Sequence, residues 1–135
     1  MKNFRTYVLL LLTILVSPVH AGSDLSCTIT GVAELTANGD LEPLVGKKNY
    51  YETAVGAQFI VQRDQGLMAG RFVSNAGWKV TVIDQGSAQQ SYKVVSNKLN
   101  GRVQTQFLEV RLQEKGDKKP FFLLAAEILY GTCTM

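Results

Sequence analysis

The sequence predicts an all-β protein: a small single-domain meander barrel of six to eight strands, with a two-sheet β-sandwich as the competing arrangement. Three observations lead there. Turn-forming residues recur along 22–135 at intervals of about 8 to 12 positions, the spacing of short sequential strands. Between them apolar and polar residues alternate with the period of a half-buried strand. Two cysteines, Cys27 and Cys133, stand at opposite ends of that stretch, and the chain has no others.

Residues 1–21 are set apart from the domain. Lys2 and Arg5 precede an apolar run from Tyr7 to Val16, and Ser17-Pro18 and Val19-His20-Ala21 follow it. This order is expected of a secretory signal cleaved after Ala21, leaving 22–135 as a single exported β-domain. The run is about half the length a membrane-spanning helix needs, so no integral membrane segment is expected after cleavage. A lipid anchor would require a cysteine directly after the run, and Cys27 lies well downstream.

The strands are expected in order at 25–36, 57–63, 67–74, 78–82, 89–96, 102–113 and 121–133. Turn residues separate them: Asn38-Gly39, Asp64-Gln65-Gly66, Asn75-Ala76-Gly77, Asp84-Gln85-Gly86, the stretch 97–101, and Lys115-Gly116-Asp117. In both Asp-Gln-Gly copies the Asp opens a type I turn and the Gly takes the left-handed position of a three-residue hairpin loop. Alternation is clearest where Trp78, Val80 and Val82 flank Lys79 and Thr81, which places Trp78 in the core. In 102–113, Val103 and Phe107 share one face while Leu108, Val110 and Leu112 take the other, which suggests a bulge or bend near Phe107. The last segment, from Pro120 to Gly131, also has the Pro-first, Gly-last plan of a helix. A strand is preferred because its apolar, aromatic run suits the centre of a sheet. Residues 41–56 are mixed and hold Pro43, Lys47, Lys48, Tyr50 and Tyr51.

Sequential strands with short connections form a meander, and a meander whose first and last strands meet is a barrel. In an oxidising compartment Cys27 and Cys133 are expected to form a disulfide joining those strands. Closing so long a loop has a large effect on the unfolded chain, about 4 to 5 kcal/mol in the chain-entropy model.

Composition narrows the chemistry. Of 14 Lys and Arg, Lys2 and Arg5 leave with the signal, so 12 stand against 11 Asp and Glu. A nearly neutral domain lacks the electrostatic footprint of a nucleic-acid binder. The Lys47-Lys48 and Lys115, Lys118-Lys119 groups read as solvated loop tips. The one histidine, His20, falls in the signal. Without imidazole, Ser-His-Asp and Cys-His catalysis, zinc sites and histidine-ligated haem are not expected, and no metal or cofactor is predicted.

Carboxylates remain. Glu109 and Glu127 fall in predicted strands, and a pair about 5 to 10 Å apart can hydrolyse a glycosidic bond. Glu127 interrupts an apolar run, yet alternation alone places it on the solvent face of the last strand. A non-enzymatic binding or structural role in the cell envelope is therefore preferred. Its candidate surface is the loop bearing Lys47, Lys48, Tyr50 and Tyr51, with an envelope or secreted protein as partner. A lipocalin-like carrier of a small apolar ligand and a carboxylate-based hydrolase are the alternatives. The plan of signal, short strands and terminal cysteines resembles that of many exported bacterial domains, small periplasmic hydrolase inhibitors and lipocalin-like carriers among them, in architecture alone. The domain has no Asn-x-Ser/Thr acceptor and a single cysteine pair, which favours a bacterial periplasm over a secreted setting.

Overall fold

The computed structural model describes residues 22–44 and 52–135. The predicted signal segment, 1–21, and the predicted binding residues Lys47, Lys48, Tyr50 and Tyr51 lie outside the described residues. Among the described residues nine strands form one antiparallel sheet: β1 (Leu25–Leu35), β2 (Leu41–Pro43), β3 (Gln58–Gln62), β4 (Leu67–Gly70), β5 (Lys79–Gln85), β6 (Tyr92–Lys98), β7 (Gln104–Val110), β8 (Lys119–Leu124) and β9 (Ile128–Thr134). Their order in space is β4-β3-β1-β9-β8-β7-β6-β5, with β2 added beside β1. The sheet curls into a nearly closed eight-stranded barrel. The sandwich alternative is not what forms.

β1 organises the closure. Its first residues pair with β3, its last three with β2, and most of its length with β9. Cys27 lies directly opposite Cys133 in the β1–β9 register, and the two are disulfide-bonded and wholly buried. The predicted bond between first and last strands is therefore present. Between Ile29 and Gly31 the register shifts by a bulge. The ring of Tyr130 packs over Gly31 there, and a Cβ on that glycine would come within 2.2 Å of it.

Alternation does the rest. Leu25, Phe59, Val61, Tyr92, Val94, Leu108, Val110, Phe121, Leu123 and Leu129 are buried and fill the barrel interior. Phe59 of β3 and Phe121 of β8 meet edge to face, ring centroids 5.3 Å apart, although two strands stand between their own. Side chains thus meet across the barrel, as expected at this strand number.

Several expectations are corrected. The segment 121–133 is neither one strand nor a helix: β8 and β9 form a hairpin that turns at 125–127, where Ala125 N–H donates to the Glu127 carbonyl at 2.9 Å. Pairing on both sides satisfies two short strands better than one long strand could. β7 has no bulge, since its register with β6 runs unbroken from Tyr92↔Val110 to Lys98↔Gln104. Phe107 faces outward and finds cover against Phe122, centroids 6.0 Å apart, so both faces of β7 carry apolar residues in one phase. Lys119 is no loop tip. It opens β8 pointing inward, buried, and its Nζ donates to the Glu114 carbonyl. Gly66 and Gly86 do take positive φ, 71° and 69°. Their loops are longer than three residues, spanning 63–66 and 86–91.

The second junction of the barrel, between β4 and β5, is held by side chains. No strand pairing joins these two edges among the described residues. Asn75, fully buried, accepts from Met68 N–H at 2.8 Å and donates through Nδ2 to the Gly66 carbonyl at 2.9 Å and to Ser96 Oγ at 2.8 Å. One amide therefore ties β4 and its turn to β6, across β5. Gly66 sits so close to the opposite wall that a Cβ would approach Val80 within 2.8 Å. Nearer the other end of β5, the Tyr92 hydroxyl donates to the Arg63 carbonyl at 3.0 Å, and Arg63 Nη2 donates to the Gln85 carbonyl at 2.7 Å.

Two outcomes follow from this junction. Asn75→Ala leaves three buried polar groups unpaired and is expected to lower stability by about 2 to 4 kcal/mol in chemical denaturation, whereas a cost below about 1 kcal/mol would mean the seam does not depend on it. Burial raises the Tyr92 phenol well above the ordinary tyrosine value, and Arg63 opposes the shift only in part. The folded chain thus holds this proton more tightly than the unfolded one, so its stabilisation is complete below about pH 10 and is lost as pH rises further. Tyr92→Phe should make the alkaline fall in Tm shallower, and an unchanged slope would contradict this.

Candidate functional site

The two ends of the barrel differ in how they are covered. At the near end, where β1 begins, the 63–66 turn, the Tyr92–Arg63–Gln85 contacts and inward-facing Lys119 close the interior. At the far end the strands have unequal lengths. β8 stops at Leu124, which pairs with Phe107. β7 extends further, and its Gln104, Thr105 and Gln106 pair only with β6. The inner side of that arm has no strand in front of it.

A cleft of about 640 Å³ occupies the gap, lined by Trp78, residues 102–106 and the 125–127 turn. Each wall follows from local sequence. Gln104 and Gln106 lie in phase with inward Leu108 and Val110, so alternation points them to the cleft where the core has ended. Glu127 arrives on the β8–β9 turn and Arg102 on the β6–β7 loop. Trp78 precedes β5 and is half-buried. Its expected core position is corrected: the phase that buries Val80 and Val82 carries Trp78 to the rim, where the core gives way to the cleft.

The cleft wall holds unmatched chemistry. Gln106 Oε1 and Glu127 Oε2 are buried with no hydrogen-bond partner. An acceptor left bare in this way costs about 1 to 3 kcal/mol, more when charged. Thr105 differs, since its hydroxyl donates to Asn97 Oδ1 at 2.9 Å. Exposed apolar side chains also occur at this end. Of ten large apolar side chains exposed among the described residues, five (Leu35, Leu41, Leu99, Val103 and Leu124) stand at this end, and Leu35 and Val103 are each 67% exposed. Exposed apolar side chains at the same end as a polar recess are in keeping with a recognition surface.

The predicted site residues fare unequally. Glu109 and Glu127 are not brought together. Glu109 accepts from Ser91 Oγ at 2.9 Å and lies 4.0 Å from Arg111 Nε, on the outer wall of β7. Glu127 is the one carboxylate among the residues lining the cleft, and it sits on a hairpin turn rather than on a strand's solvent face. No group of three or more metal-ligating side chains occurs among the described residues. Residues 45–51, which carry the predicted binding residues, lie outside the described residues; on either side of them Leu44 N–H donates to the Val32 carbonyl and Gly56 N–H to that of Ile29. The cleft did have a signal in the sequence, namely two glutamines on the inner phase of a strand that is otherwise apolar on that phase.

No family model matches the chain, and no curated protein or solved structure shows significant similarity to it.

Proposed function

We propose that this protein is an exported, non-enzymatic binding domain of the cell envelope that recognises its ligand at the far end of the barrel. The observation that carries this reading is the cleft, whose lining residues Gln106 and Glu127 hold two buried, unpartnered acceptors and which shares its end of the barrel with exposed apolar side chains. The Cys27–Cys133 disulfide supports an oxidising, exported compartment, of which the periplasm is the preferred case.

The alternatives draw less support. A carrier of an apolar ligand needs room inside the barrel, and here Phe59, Phe121, Tyr92 and their neighbours occupy it. A carboxylate hydrolase needs two carboxylates at one bond, and the cleft presents Glu127 without a second.

The location of the surface is tested by amide chemical-shift mapping. Titration of isotope-labelled protein with fractionated envelope extract is expected to perturb residues 99–106 and 124–127 selectively. Perturbations confined to 86–91 and 111–118, at the opposite end, would overturn the proposal.

A further inference from the structure

We infer that the cleft takes a neutral saccharide, an inference that rests on the binding reading above and names the ligand class for the same site. The argument turns on charge, hydrogen-bonding type and shape. Arg102 and Glu127 both line the cleft, and among the described residues they form no ion pair with each other. A cationic ligand would meet Arg102, and an anionic one would meet Glu127. A ligand without net charge meets neither obstacle.

The remaining polar groups ask for a ligand that both donates and accepts. Gln104 and Gln106 each carry an amide donor and an amide acceptor, and Glu127 accepts only. Gln106 Oε1 and Glu127 Oε2 are the unpartnered atoms. Each lies beyond a soft terminal torsion, so a small rotation turns it toward an arriving donor. Hydroxyl groups are the neutral groups that donate to such oxygens while accepting from Arg102 and the glutamine amides. Trp78 adds a flat apolar surface at the rim. A pyranose ring has the matching form, with an apolar C–H face and a hydroxylated edge. The volume, about 640 Å³, lies within the span of small-ligand sites, roughly 300 to 1,000 Å³, and suits a short oligosaccharide better than a single ring.

Trp78 is the only tryptophan in the chain, so intrinsic indole emission reports on this cleft alone. The experiment titrates the oxidised protein with three neutral trisaccharides: maltotriose, cellotriose and triacetylchitotriose. At least one is expected to change the emission saturably. Its midpoint should move less than about twofold between about 0.02 M and 0.5 M NaCl, because a neutral ligand has no ion pair for salt to screen. Gln106→Ala combined with Glu127→Ala is expected to weaken the same titration by about tenfold, through loss of both acceptors. Should that variant fail to fold by circular dichroism, the salt series on the unaltered protein decides alone. The inference is overturned if none of the three alters the emission, or if saturation occurs only with charged oligosaccharides and shifts with salt. Envelope extract that perturbs the far-end amides while all three sugars leave Trp78 unchanged would sink the saccharide assignment and leave the binding surface standing. Failure of both would remove the binding reading itself.

Discussion

The pairing of β1 with β9 is the constraint on which the rest of the structure depends. A meander of short strands has two raw edges, and each is an invitation to pair with another chain. Here the first and last strands meet in antiparallel register and are bonded where Cys27 faces Cys133. The loop enclosed is 106 residues in sequence separation, long enough that the chain-entropy model assigns it about 4 to 5 kcal/mol. For a domain whose whole stability is about 5 to 15 kcal/mol, a contribution of that size decides whether the barrel persists. β1 also pairs with β2 and β3, so fixing its position fixes the strands on both sides of the closure.

With that junction covalent, the second one has more latitude. Between β4 and β5 the barrel substitutes side chains for a ladder, and the buried amide of Asn75 and the Tyr92 and Arg63 contacts span the gap. A sheet so joined is closed at the near end and uneven at the far end. The unevenness produces the cleft: β7 outruns β8, its inner face leaves the core, and polar residues line what apolar ones fill below. One wall, Gln104 to Gln106, is a strand held by the barrel, and the others are short loops and turns at strand ends, so part of the surface a ligand meets is formed in advance, which lowers the entropy lost on binding.

Much of the architecture was legible in the residues, and the exceptions have physical causes. The terminal cysteines, the alternation around Val80 and Val82, and the positive-φ glycines each express a local rule, and each is found in the fold. The β8–β9 turn was not legible because Ala125-Ala126-Glu127 contains neither Gly nor Pro and interrupts an apolar run only at Glu127. Phe107 suggested a bulge because its cover, Phe122, comes from another strand, which alternation within one segment cannot reveal. Trp78 obeys its strand's phase, yet burial also depends on how far along the barrel a residue stands. The cleft arises from the unequal lengths of neighbouring strands. That is a property of pairing between segments, and only the inward glutamines hinted at it.

If closure at β1 and β9 organises the whole barrel, its loss should be felt everywhere. The direct measurement is native-state hydrogen exchange, residue by residue, on the oxidised protein and after reduction of Cys27–Cys133. The account predicts that reduction lowers protection in distant β5, β6 and β7 together with β1 and β9, as one cooperative unit. Protection that falls only in β1 and β9, with β5 to β7 unchanged, would contradict it.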